Sequence, residues 1–201
     1  MALAKELDAP LQAHAFERRM NSTAYTRTLP EARHELQFTL ECHPSYQPGA
    51  DAHLYPAFHW KMRQVKKLAI ELVEGNATLV AGTSDIVLNH PFHWLAPKEY
   101  NERWFAVGPE QFAAVCAKIL IFLSQWVLPF VDQACSPEDL VRLYEKNDPR
   151  MMTQLHTHVY IAAAYRILGE EEKAREVVRK HFSKPGIKAR YGVLFKSLEM
   201  E

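Results

Sequence analysis

Residues 34–43 alternate without interruption. Leu36, Phe38, Leu40 and Cys42 fall on one side of an extended chain, and Glu35, Gln37, Thr39 and Glu41 fall on the other. Successive strand side chains point to opposite faces, so this run predicts a half-buried strand with one wet face. Such a strand needs antiparallel neighbours and a covering layer on its apolar side. Candidate neighbours are residues 22–28, rich in threonine and tyrosine, then 55–60, 85–89 and 103–107. Pro30 and Glu31 mark a turn, and the 44–51 segment, with Pro44, Pro48 and Gly49, reads as an exposed loop.

The covering layer is predicted to be helical. Leu3, Leu7, Leu11 and Ala15 share one face of a helix over 3–16, with Pro10 placed to kink it. Val65, Leu68, Ala69, Leu72 and Val73 repeat at helical spacing and stop at Gly75, a natural left-handed cap. Residues 112–131 form a long apolar run opened by Gly108-Pro109. Its apolar residues, Val115, Cys116, Ile119, Phe122, Leu123, Trp126, Val127 and Phe130 among them, gather on one side. Gln111, Lys118, Gln125 and Asp132 gather on the other, as in an amphipathic core helix rather than a membrane span. Ser136 with Pro137, Glu138 and Asp139 caps another helix, and Asp148-Pro149 carries the same start signal. Near the C-terminus, Ala162, Tyr165, Leu168, Gly169 and Ala174 occupy the signpost positions of a tetratricopeptide hairpin. One such unit closes the side of a domain but cannot make a solenoid. The expected fold is therefore α+β. It has a small antiparallel sheet with flanking helices and a helical C-terminal half ending in a tetratricopeptide-like hairpin. Residues 1–147 are expected to form the α+β domain, and 148–201 a helical extension packed on it.

Lysine plus arginine balance aspartate plus glutamate at 24 each, which argues against nucleic acid or an anionic membrane as the main partner. Cys42, Cys116 and Cys135 are odd in number, far apart and without a CxxC, and read as buried reduced thiols. Lys5, Glu6 and Asp8 interrupt the first turns where a signal peptide would carry its apolar stretch, so the expected location is cytoplasmic.

Chemistry-bearing patterns are sparse. With seven glycines there is no phosphate-binding loop, and neither GxSxG nor HExxH occurs. His156 and His158 are two apart, so on a helix they point to different sides, and His90 and His93 lack the acids or cysteines that complete a zinc set. No cofactor or metal is expected. Phe-His-Trp occurs twice, at 58–60 and 92–94, with no longer repeat around it. The charged stretch Glu171, Glu172, Lys173, Arg175, Arg179 and Lys180 reads as a solvated helix face.

Residues 15–19, Ala-Phe-Glu-Arg-Arg, followed by Ala24-Tyr25-Thr26-Arg27, resemble the lead helix and first hairpin of the bacterial family called domain of unknown function 4304. Ala15 departs from the glycine of that pattern. Trp126-Val127-Leu128-Pro129-Phe130, with the short acidic helix over 136–146, is similar to the family's closing segment, so the resemblance spans about residues 1–147. It implies an α+β fold and transfers no catalytic residues. Small bacterial proteins of this kind are often similar to immunity proteins. The expected function is accordingly non-enzymatic: one protein partner, a toxin encoded nearby, neutralised by direct contact. The expected contact regions are the 44–51 loop and the 89–102 segment, through Tyr46, Asp51, His93, Trp94, Tyr100 and Glu102. An enzyme built around His59, His90 and His93, or a helical adaptor using residues 155–185, are the alternatives.

Overall fold

The computed structural model describes residues 2–151 and 153–200, with side chains from Lys5 onward. Leu3, assigned by spacing to the apolar face of the first helix, lies outside the described side chains. Backbone contacts divide the chain into two units. Unit 1 comprises Met1–Leu29, Arg33–Trp60 and Asn89–Gln133; unit 2 comprises Pro30–Ala32, Lys61–Leu88 and Ala134–Glu201.

Unit 1 is organised by the expected antiparallel sheet. The strands of the sheet are β1 (Glu17–Arg18), β2 (Ala24–Thr28), β3 (Arg33–Cys42), β4 (Ala52–Lys61), whose last residue falls in unit 2, β5 (Ile86–Pro91), whose first three residues fall in unit 2, and β6 (Trp104–Ala106). They lie in the order β1-β2-β3-β4-β5, with β6 paired to the start of β4. The alternation in β3 gives the correct face: His34, Leu36 and Phe38 are buried, whereas Glu35 and Gln37 face the other way. Leu40, expected in the core, is 48% exposed, and Cys42 is exposed too. The reason is pairing length. Strand β2 accompanies β3 only as far as Ala24↔Gln37, so the end of β3 runs past its neighbour and its cover.

Helices α1 (Ala2–Gln12) and α3 (Phe112–Phe122) supply that cover. Edge-on ring contacts knit the core, with Tyr25 against Phe38, Trp104 against Phe122, and Phe58 against Phe130. Helix α1 stops before its expected end. Ala15 adopts a left-handed backbone, φ 62°, and the Phe16 N–H donates to the Leu11 carbonyl, which closes the helix as glycine usually does. The segment Pro109–Val131 has the length and apolarity of a membrane span, but half of its most apolar window is buried in the protein, and Lys118 is exposed. It is not one regular helix. Residues Leu123–Val127 widen into a π-helical turn before α4 (Leu128–Val131). Pro129 lies in that last piece, and its nitrogen has no hydrogen to return to a carbonyl in the preceding turn.

Unit 2 contains α2 (Arg63–Leu72), α5 (Pro137–Glu145), α6 (Leu155–Ile167), α7 (Glu171–Phe182), α8 (Pro185–Arg190) and α9 (Gly192–Ser197). The expected caps at Gly75 and Ser136 are present: Gly75 has φ 81°, and the Ser136 hydroxyl accepts from the Asp139 N–H. Asp148-Pro149, expected to start a helix, makes only a short 3-10 turn. The Asp148 carboxylate is taken locally, accepting from the Arg150 backbone N–H and guanidinium. Helix α6 begins later, at a reciprocal cap between Gln154 and Thr157. It is buried from Thr157 to Tyr165 and packs on α2, α5 and α7. Gly169, φ 76°, turns the chain from α6 into α7, completing the expected helical hairpin.

Candidate functional site

In unit 1 the apolar face of the sheet is core, so its other face carries the chemistry. Register places His53 of β4 opposite Phe105 of β6, and the imidazole stacks on the phenyl ring at 4.4 Å. The Tyr46 hydroxyl lies 2.6 Å from Glu41 Oε2 and 2.7 Å from His53 Nδ1. A hydroxyl has one proton. It donates to the carboxylate, so His53 Nδ1–H donates to the phenol oxygen, and the tautomer is fixed. The bond to Glu41 holds the Tyr46 phenol above its ordinary pKa. Burial pushes His53 below the usual histidine range. Burial does the same to His93, reinforced by the charges of Arg103 and His53.

The Trp94 ring stands edge-on to both His90 and His93. Its short 3-10 turn, Phe92–Leu95, packs on the π-helical turn, where Tyr100 leans on Trp126 at 5.0 Å. The expected contact residues therefore divide. Tyr46 and His93 both neighbour His53, Trp94 borders His93, and Tyr100 sits on Trp126. Asp51 is engaged within the protein, its Oδ2 accepting from the Gly108 N–H of the segment after β6 at 2.7 Å, and the Glu102 backbone N–H donates to the Tyr100 carbonyl. Tyr46, Tyr55, Trp94 and Tyr100 are 51%, 42%, 37% and 46% exposed. The two Phe-His-Trp triplets diverge: Trp60 is buried and His59 bonds Glu35 at 2.9 Å, while Trp94 is exposed. Among the described residues, no three His, Cys, Asp or Glu side chains gather as a metal-ligand set.

Unit 2 holds a second cluster that the sequence reading missed. A pocket of about 270 Å³ is lined by Tyr144, Asn147, Asp148, Thr153, His158, Lys180 and His181, among others. The imidazoles of His158 and His181 stack at 3.5 Å and 19°. The Tyr144 hydroxyl is 2.8 Å from His181 Nε2. Burial holds both histidines below their usual range, His158 down to about 4. A signal existed. His158 and His181 stand eleven residues before and twelve after Gly169, and a helical hairpin brings such positions face to face. No protein-family model matches the chain, and comparison with curated proteins and with solved structures finds no match either.

Proposed function

We propose that the protein is a non-enzymatic binding protein that engages one protein partner through the aromatic surface of unit 1. The observation that carries this reading is the exposure of Tyr46, Tyr55, Trp94 and Tyr100 on a single unit. Several are pre-positioned, Tyr46 by Glu41 and His53 and Tyr100 by Trp126. Ordered tyrosines and tryptophans bring large contact area at low entropic cost, which is why they dominate binding hot spots. The balanced charge of the chain suits a protein partner better than a polyanion.

In its most concrete form the partner is a toxin encoded by a neighbouring gene, and this protein acts as its immunity protein. That form is supported by the resemblance of residues 1–147 to the bacterial family named above. Co-expression with the neighbouring gene product tests it. The expected result is a stable complex that co-purifies and suppresses toxicity, with Trp94→Ala and Tyr46→Ala each weakening it by about 2 kcal/mol. Absence of any complex, together with histidine-dependent turnover of a small substrate by the purified protein, would overturn the reading.

A further inference from the structure

The pocket in unit 2 is built, not incidental. Three elements converge on it: the end of α5 with Tyr144, the first turns of α6 with His158, and the end of α7 with Lys180 and His181. The short turn after Asp148 and the residue Thr153 complete its lining. His158 is 7% exposed, its ring set against the backbone of Leu155 and Gln154 at the start of α6 and stacked on His181.

The charges around the pocket are one-sided. Among the described residues that line it the one carboxylate is Asp148, and the guanidinium of Arg150 already bonds it at 2.6 and 2.9 Å. Lys146 acts on Asp148 from the end of α5, and Lys180 stands at the rim, 5.5 Å over the Tyr144 ring. Glu145, the nearest acid on α5, is engaged by Tyr165 and Lys173, and α6 carries no acid at all. The remaining field is positive, and the lining offers hydroxyl, amide and imidazole donors.

We infer that this pocket binds a phosphate-sized oxyanion, either free phosphate or the phosphoryl group of a small ester, on Lys180, His181 and Tyr144. The hydrogen bond between Tyr144 and His181 makes binding proton-linked. When His181 is neutral with Nε2 bare, the Tyr144 proton is spent on that nitrogen. When His181 takes up a proton, Nε2–H donates to the phenol oxygen instead, and the Tyr144 hydroxyl is released to donate to the anion. The stacked pair accepts only one charge, because two imidazolium rings at this separation repel. Charge therefore settles on His181 and not on the more deeply buried His158. This inference concerns unit 2 and does not depend on the partner proposed for unit 1.

The test is side-chain imidazole NMR on the full chain, titrated with inorganic phosphate and separately with phosphoserine, against chloride at matched ionic strength. The expected result is a saturable shift of the His181 and His158 resonances and a rise in the His181 pKa. Lys180→Gln, a change at an exposed site, should weaken binding about tenfold, the loss of one charge-assisted hydrogen bond. Tyr144→Phe should weaken it and reduce, without abolishing, its dependence on proton uptake at His181. Tighter binding of phosphoserine identifies an ester as the ligand class, and equal or weaker binding identifies free phosphate. Shifts that fail to saturate, that chloride reproduces, or that Lys180→Gln leaves unchanged would overturn the inference.

Discussion

Lys66 is a buried lysine on α2, 3% exposed, with no carboxylate bonded to it among the described residues. Its ammonium donates to the Val80 carbonyl and, at 2.8 Å, to the Tyr160 hydroxyl oxygen, and Tyr160 in turn donates to the same carbonyl. Burial, opposed only partly by Asp85, lowers its pKa from 10.5 to about 8. At about 1.4 kcal/mol per unit, holding the charge inside costs about 3 kcal/mol at neutral pH. Lys66→Met keeps the unbranched stem, removes the charge and leaves the Val80 carbonyl bonded to Tyr160. Subtracting about 1 kcal/mol for the lost bond to Tyr160, the variant should be more stable by about 2 kcal/mol.

The pH dependence follows from linkage. Between about 8 and 10.5 the unfolded chain holds a proton on Lys66 that the folded protein has released, so wild-type stability rises with pH across that window. Below the window the cost is fully present, and above it the cost vanishes. Urea denaturation followed by far-UV circular dichroism, near neutral pH and again near the top of the window, reads the difference between the two proteins. The advantage of Lys66→Met should shrink steadily as pH rises. A variant less stable than wild type at neutral pH, or an advantage independent of pH, would refute the assignment of Lys66 as a desolvated charge.

Three further outcomes are expected. Leu36→Ala should cost about 2–5 kcal/mol, as a core truncation does, while Leu40→Ala should cost under about 1 kcal/mol. All four tryptophans lie in unit 1, so fluorescence-monitored denaturation reports on both variants. His158 is held neutral to about pH 4, so acid should remove about 3 kcal/mol of stability between its ordinary pKa and that value. His158→Phe, which keeps a ring against His181, should flatten that part of the stability–pH profile in urea denaturation followed by far-UV circular dichroism. Ala15→Gly should raise the melting temperature, by about 0.5–1 kcal/mol of stability, because the position is left-handed.

Patterns carried by neighbouring residues were legible in the sequence. The face of β3, the caps at Gly75 and Ser136, the amphipathic 112–131 run and the Gly169 hairpin all depend on local periodicity or local hydrogen bonds. What failed depended on distant partners. Leu40 alternates correctly but outruns β2, and strand length opposite it cannot be read from its own neighbourhood. Asp148-Pro149 has the composition of a helix start, and Asp148 does accept the Arg150 N–H as a cap would, yet the turn it opens ends at Met151 and α6 starts at a cap of its own. The grouping of 61–88 with 134–201 rests on contacts between segments far apart in the chain, such as Lys66 with Tyr160. His53 gave no signal because its partners, Glu41, Tyr46 and Phe105, meet only through loop closure and strand pairing. The divergence of His156 and His158 was readable from their spacing: one ring lies against Tyr160 and the other against His181. That His181 would be the second partner was readable only once the hairpin was taken seriously as geometry.

Hydrogen–deuterium exchange of the protein alone and in complex with the neighbouring gene product tests the proposed binding surface most directly. Bound partner should slow exchange at the 44–51 loop, the start of β4 around His53 and Tyr55, and the 92–105 segment that carries Trp94 and Tyr100. The rest of the chain should be left largely as it was. Protection confined to the α6–α7 hairpin, with the 44–51 and 92–105 segments unchanged, would contradict the proposal and move the interface to unit 2.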